Sequence, residues 1–141
     1  MKKNKFMEDE KKNEKKILVI EIVEDETPLL NALCDKLKRE GFNVLRAKNG
    51  QEGLEAALSG HPNLILLDLL MPVMDGMTML KKLRAADAWG KTVPVIILTN
   101  LTSDDEQRNR DLAETEPSYY LEKTAWKIED VVGKIKERLG N

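Results

Sequence analysis

From Lys16 onward the chain alternates two kinds of segment. Short aliphatic runs come first, then longer stretches in which apolar residues recur every three or four positions. The first kind reads as a strand buried on both faces, the second as a helix with one face on the core. ILVIEIV (17–23) is the first strand. TPLLNALCDKLKREG follows, with Thr27 placed to cap, Pro28 suited to the first turn, and Leu29, Leu30, Leu33 and Leu37 at helical spacing; Gly41 stops it. FNVLRA and GQEGLEAALSG form a second pair, ending at Gly60. LILLD (64–68) and GMTMLKKLRAAD form a third. VPVIILT (93–99) precedes SDDEQRNRDLAE, where Ser103 and Glu106 make a capping-box pattern. SYYLEK (118–123) and KIEDVVGKIKERLG complete the fifth, with Ile128, Val131, Val132, Ile135 and Leu139 along one stripe. Five strand–helix pairs predict an α/β fold: a doubly wound parallel sheet with helices on both faces.

One residue breaks the pattern. Glu21 lies among aliphatics in the first strand. It is expected to face the strand's exposed end or to pair with a lysine, because an unpaired charge in a dry strand is costly.

Composition narrows the class. The 141 residues suit one domain, and 41% apolar with 34% charged residues fits a globular chain. A formal charge of −2 excludes a partner drawn in by net positive charge, and no base-reading motif is present, so no direct nucleic-acid contact is expected. No apolar stretch reaches the length of a membrane span, so no membrane insertion is expected. The lone Cys34 rules out an internal disulfide and suits a reducing, cytoplasmic setting; its apolar neighbours mark it as a small buried hydrophobe. The opening MKKNKFMEDEKKNEKK has lysines but no apolar segment behind them, so it is not a secretory signal. Residues 1–15 read as a charged flexible tail or a helical extension.

Open parallel sheets bind ligands beyond the carboxyl ends of their strands. The first strand delivers Glu24, Asp25 and Glu26 to that edge, the third Asp68, the fourth Thr99 and the fifth Lys123, while the second ends in the ordinary turn RAKNG. Carboxylates gathered this closely repel unless a cation joins them. All-oxygen donors with room for water favour Mg2+ over zinc, and the single His61, before Pro62, reads as a solvated loop residue. Thr99 and Lys123 suit the equatorial oxygens of a phosphoryl group. Asp68 would then be the nucleophile that forms an acyl phosphate.

VEDE (23–26), LLDLLMPVMDG (66–76), VIILTN (95–100) and YYLEK (119–123), in this order and spacing, resemble the receiver domain of two-component response regulators over residues 16–139. The resemblance implies a flavodoxin-like (βα)5 sheet of strand order 2-1-3-4-5, with the receiver domain at 16–141. It implies a phosphorylation-activated signalling switch that is not an enzyme beyond its own phosphorylation and dephosphorylation. Asp68 would be the phosphoacceptor. Asp25 would hold Mg2+ directly, Glu24 through water, and Asp68 and the Leu70 backbone carbonyl would complete the metal contacts. Thr99 and Lys123 would bind the phosphoryl group, and Tyr120 would turn inward on activation. The changed face would be the fourth helix, fifth strand and fifth helix, roughly 103–139, biasing a pre-existing two-state equilibrium. Implied partners are a sensor histidine kinase or phosphotransfer protein, selected near Leu29–Leu33, a downstream protein target, and a phosphorylation-dependent homodimer.

The chain departs from the family pattern in places. Thr124 follows Lys123 where proline is usual, and a trans bond is expected there. Asn100 stands where a small residue lines the route to the phosphate, which would slow phosphotransfer. Leu70 and Leu101 cannot orient a water, so a long-lived phosphorylated state is expected. ETEPSYY replaces a Gly-Ala-rich approach to the fifth strand. Strand alternation sends Tyr119 and Tyr120 to opposite faces. Met71, Met74, Met77 and Met79 read as core filling, and Trp126 as either an output-face residue or a brace for the last helix. Two other functions stay open. A haloacid-dehalogenase-type phosphatase shares the Asp, Thr, Lys and Mg2+ but needs a second Asp where Leu70 stands. A pseudo-receiver would dock constitutively without phosphorylation. The chain ends at Asn141 directly after the last helix, which leaves a stand-alone receiver and an excised piece both open.

Overall fold

The buried aliphatic runs pair side by side into one parallel sheet, as the computed structural model shows for residues 16–100, 106–117, 119–123 and 125–140. The elements are β1 (Val19–Val23), α1 (Thr27–Arg39), β2 (Asn43–Ala47), α2 (Gly50–Gly60), β3 (Leu64–Leu67) and α3 (Gly76–Ala86). They continue with α4 (Ala88–Thr92), β4 (Val95–Thr99), α5 (Glu106–Thr115), β5 (Tyr119–Glu122) and α6 (Ile128–Leu139). The strand order is β2-β1-β3-β4-β5, all pairs parallel. The order reverses between β1 and β3, and their carboxyl ends open the crevice in which such sheets bind ligands.

Each face carries its own core. Ile20, Ile22, Leu64, Leu66, Ile96 and Leu98 meet Leu30, Leu33, Cys34 and Leu37 of α1 and Val131, Val132 and Ile135 of α6. The alternate residues Val23, Ile65, Leu67, Val95 and Ile97 meet α2 and α3 through Ala57, Met79, Leu80 and Leu83. Period-2 strands and 3.6-period helices therefore interlock as their sequences require. Tyr119 packs on the first core and Tyr120 on the second, as alternation predicts. Cys34 is buried, Trp126 packs against the α1/α6 core, and the methionines fill the α2/α3 side.

Several local expectations are corrected. β1 and β4 are shorter than their apolar runs: Ile17 is exposed, and β4 begins after Pro94. Thr27 is the first residue of α1 and not its cap. Glu26 takes that position without a side-chain cap bond, because its carboxylate turns toward Lys123. The helix α4 was not anticipated. Asp87 caps it by accepting from the Gly90 amide at 2.6 Å. Arg84 donates to the carbonyls of Gly90, Val93, Thr115 and Glu116, satisfying groups that helix ends leave open. His61 is exposed in the loop after α2, as expected, and there it is the helix's left-handed C-cap and stacks on Trp89 at 4.2 Å. Glu21 neither reaches solvent nor, among the described residues, meets a lysine: it is 0% exposed, and neither carboxyl oxygen has a hydrogen-bond partner among them. The tail 1–15, the Ser103 cap, Leu101 and the bond before Thr124 lie outside the described residues. Among the described residues no helix is long and apolar enough to cross a membrane.

Candidate functional site

The acidic edge forms because β1 and β3 are neighbours that end at the same level. Val23 pairs with Leu67, and the Asp68 amide donates to the Val23 carbonyl at 3.0 Å. Glu24 and Asp68 follow directly and are almost fully enclosed, at 2% and 4% exposure; Asp25 is exposed. Oxygens of Glu24, Asp25 and Asp68 all lie within 4.8 Å of one another.

Lys123 binds this group together. Its Nζ lies 2.6 Å from Glu24 Oε1, 3.1 Å from Asp68 Oδ2 and 3.7 Å from Glu26 Oε2. The backbone delivers it there: β5 pairs with β4, Thr99 opposite Glu122, and the Lys123 amide donates to the Thr99 carbonyl at 2.7 Å. Thr99 itself is fully buried at the end of β4. Burial pushes the Glu24 carboxyl up to about 7; the Lys123 hydrogen bond opposes that shift and the Asp68 charge adds to it. Burial also works against the Lys123 charge, but Glu24 and Asp68 outweigh it and hold the ammonium above its ordinary value.

The loop after Asp68 is shaped to expose the carboxylate. The Leu70 amide donates to Asp68 Oδ1 at 3.2 Å, fixing the rotamer. Leu70 and Val73 project outward, Val73 at 84% exposure with φ 68, where the Met74 amide closes a three-residue turn onto the Pro72 carbonyl at 2.8 Å. A β-branched residue with positive φ is strained, and such strain persists only where neighbours impose it. Here the neighbours are glycines. The Gly50 amide holds the Met74 carbonyl at 2.9 Å, and Gly76 lies so close that an added Cβ would stand 2.1 Å from the Asp68 carbonyl oxygen. Asp75 then starts α3 by accepting from the Thr78 amide at 2.8 Å.

Of the residues singled out in the sequence, Glu24, Asp25, Asp68 and Lys123 converge, and Thr99 ends the adjacent strand. Tyr120 is half-buried on the α2/α3 side, three residues before Lys123, whose amide binds the Thr99 carbonyl. The sequence reading left Glu26 without a role and did not foresee Gly76 as a spacer. The M-P-x-M-D-G run held that signal, since glycine directly after a capping aspartate marks a close backbone approach.

The donor set fits a hard divalent cation. Three carboxylates around a single ammonium leave negative charge uncompensated, all donors are oxygen, and Asp25 is open to solvent, leaving room for the waters that Mg2+ keeps. Glu24 and Asp68 are held by Lys123 from the inner side, and Asp25 borders them from the outer side.

The family model for the response regulator receiver domain matches residues 20–136. YkoG of Bacillus subtilis, an uncharacterized transcriptional regulatory protein, is 36% identical over 119 residues, covering 84% of this chain and 49% of that protein. The transcriptional regulatory protein SrrA of Staphylococcus aureus is 41% identical over 89 residues, covering 63% of this chain and 34% of its own length. The chain thus spans about half the length, or less, of these curated relatives. A CheY-like receiver domain from Methanospirillum hungatei superposes with a TM-score of 0.79 at 26% identity, covering 89% of this chain and 95% of that one.

Proposed function

The chain belongs to the response regulator receiver domain family, and from that premise we propose that it is a phosphorylation-activated switch whose acceptor is Asp68. The single observation that carries the reading is the placement of Asp68: nearly enclosed, with one oxygen held by the Leu70 amide and the other by Lys123, beside two further carboxylates.

In this reading an Asp68 oxygen forms the new bond to phosphorus as the bond from phosphorus to the donor's histidine nitrogen breaks, and the imidazole keeps the electron pair. Lys123 releases part of its hold on Asp68 and meets the incoming phosphoryl oxygens, and the Thr99 hydroxyl takes another. Asp25, Asp68, the Leu70 carbonyl and Glu24 would hold Mg2+, which would supply neutralisation of the negative charge gathered there. The pull on Thr99 opens space beside β4, and Tyr120 fills it. α5, β5 and α6 then form the face that changes, offered to a downstream protein or to a second copy of the chain. The donor is a sensor histidine kinase or phosphotransfer protein. The relatives' names suggest that in a longer protein such a face would govern a transcriptional output.

Beryllofluoride titration in Mg2+, followed by 19F NMR, tests this. A saturable, Mg2+-dependent bound signal that vanishes in Asp68→Asn is expected. Its absence from the unaltered chain would leave a constitutive docking module as the reading.

A further inference from the structure

Glu21 has no part in the site, yet it sits mid-strand in β1, 0% exposed and with neither carboxyl oxygen hydrogen-bonded among the described residues. Alternation puts it on the same face as Val23, and its sheet neighbours are Leu45 and Ile65. α2 covers this face at close range. A Cβ added to Gly53 would stand 2.9 Å from both Val23 methyl carbons. One helical turn further on, about 6 Å along the helix, comes the fully buried Ala57, in the same core as Val23 and Ile65. The carboxyl is therefore enclosed between a sheet rung of aliphatics and a helix of small residues.

No charged group of the surrounding elements compensates it. Arg46 of β2 turns to the opposite face and bonds Asn31 of α1. Glu52 of α2 is engaged by the Lys48 amide and the Asn49 side chain, and Glu55 by Gln51, both exposed. His61, at the end of α2, stacks on Trp89. On α3, Lys82 is exposed, Lys81 pairs with Asp111, and Arg84 is spent on backbone carbonyls. Asp25 shares the face but lies roughly 13 Å along the strand. Burial alone acts on the Glu21 carboxyl and raises it to about 8.

We propose that Glu21 is a proton-linked brace: protonated, it fits the dry layer between β1 and α2, and deprotonated, it forces that layer to open or admit water. This goes beyond the phosphorylation reading and does not depend on it. The sign follows from linkage. A carboxyl whose folded value lies above its unfolded one supports the fold fully below the unfolded value, near 4.5, and loses that support as pH rises toward about 8.

The test compares the full chain with Glu21→Gln and Glu21→Leu by urea denaturation from pH 5 to 9. All three keep every other titrating group, so the ratio of folding constants isolates Glu21. The variant-to-parent ratio is expected to rise about tenfold per pH unit up to about 8 and then level off, since one proton is exchanged. A ratio independent of pH overturns the proposal. Carbon-13 NMR of the Glu21 carboxyl in the unaltered chain gives a second reading. Titration near 8 supports the brace, and titration near 4.5 refutes it.

Discussion

Replacing Lys123 with methionine keeps the aliphatic stem and removes the one ammonium that joins Glu24 to Asp68. Breaking a buried ion pair by deleting one partner costs about 3–5 kcal/mol. Here an escape route lowers that figure. Burial already pushes Glu24 up to about 7 with Lys123 in place, so without it the carboxyl takes up a proton at little cost near neutrality, leaving Asp68 buried without its ammonium. The expected loss at pH 7 is therefore about 3 kcal/mol, the lower end of that range. Above pH 7 the folded variant retains a proton that the parent and both unfolded chains have released. Its penalty then grows by about 1.4 kcal/mol per pH unit. Chemical denaturation of both proteins from pH 6 to 9, without divalent cations, measures this directly. Adding Mg2+ should recover more stability in the variant than in the parent, because the cation replaces the missing charge. A penalty below about 1 kcal/mol, or one that stays flat with pH, would show that Lys123 does not hold the carboxylates together.

Two other substitutions probe how the site is built. Gly76→Ala sets a Cβ against the Asp68 carbonyl oxygen and the Leu69 Cα, both backbone, so the strand end must shift. Denaturation should show a loss of about 3 kcal/mol, and the beryllofluoride affinity should fall with it. Arg84→Ala leaves the carbonyls of Gly90, Val93, Thr115 and Glu116 without their donor. A loss of about 2–4 kcal/mol is expected, with faster amide exchange at the end of α5 while the Asp68 edge stays protected.

The fold was legible because its two periods are unambiguous: runs such as LILL and VIILT leave no polar face, and the helices between them keep one apolar stripe. Convergence of Glu24, Asp25, Asp68 and Lys123 followed from topology, since parallel strands deliver their carboxyl ends to one edge. What stayed hidden depends on contacts between distant segments. Thr27 looked like a cap because local pattern cannot show that Glu26 is drawn toward Lys123 across the sheet. The short α4 was invisible because five residues are too few to display a period, and its support comes from Arg84 on the preceding helix and a stack on His61. Glu21 was expected to reach the strand's exposed end or a lysine because an unpaired charge should not persist in a dry strand. The structure buries the residue there without a partner among the described residues, which shifts the question from pairing to protonation.

The central claim is that Asp68 accepts a phosphoryl group. Intact-mass measurement after incubation with acetyl phosphate and Mg2+ addresses it most directly, beside Asp68→Asn and a sample with EDTA. A single phosphoryl adduct is expected, dependent on Mg2+, released by hydroxylamine and absent from the variant. An unmodified mass in the parent chain, or an adduct that persists in Asp68→Asn, would contradict the account.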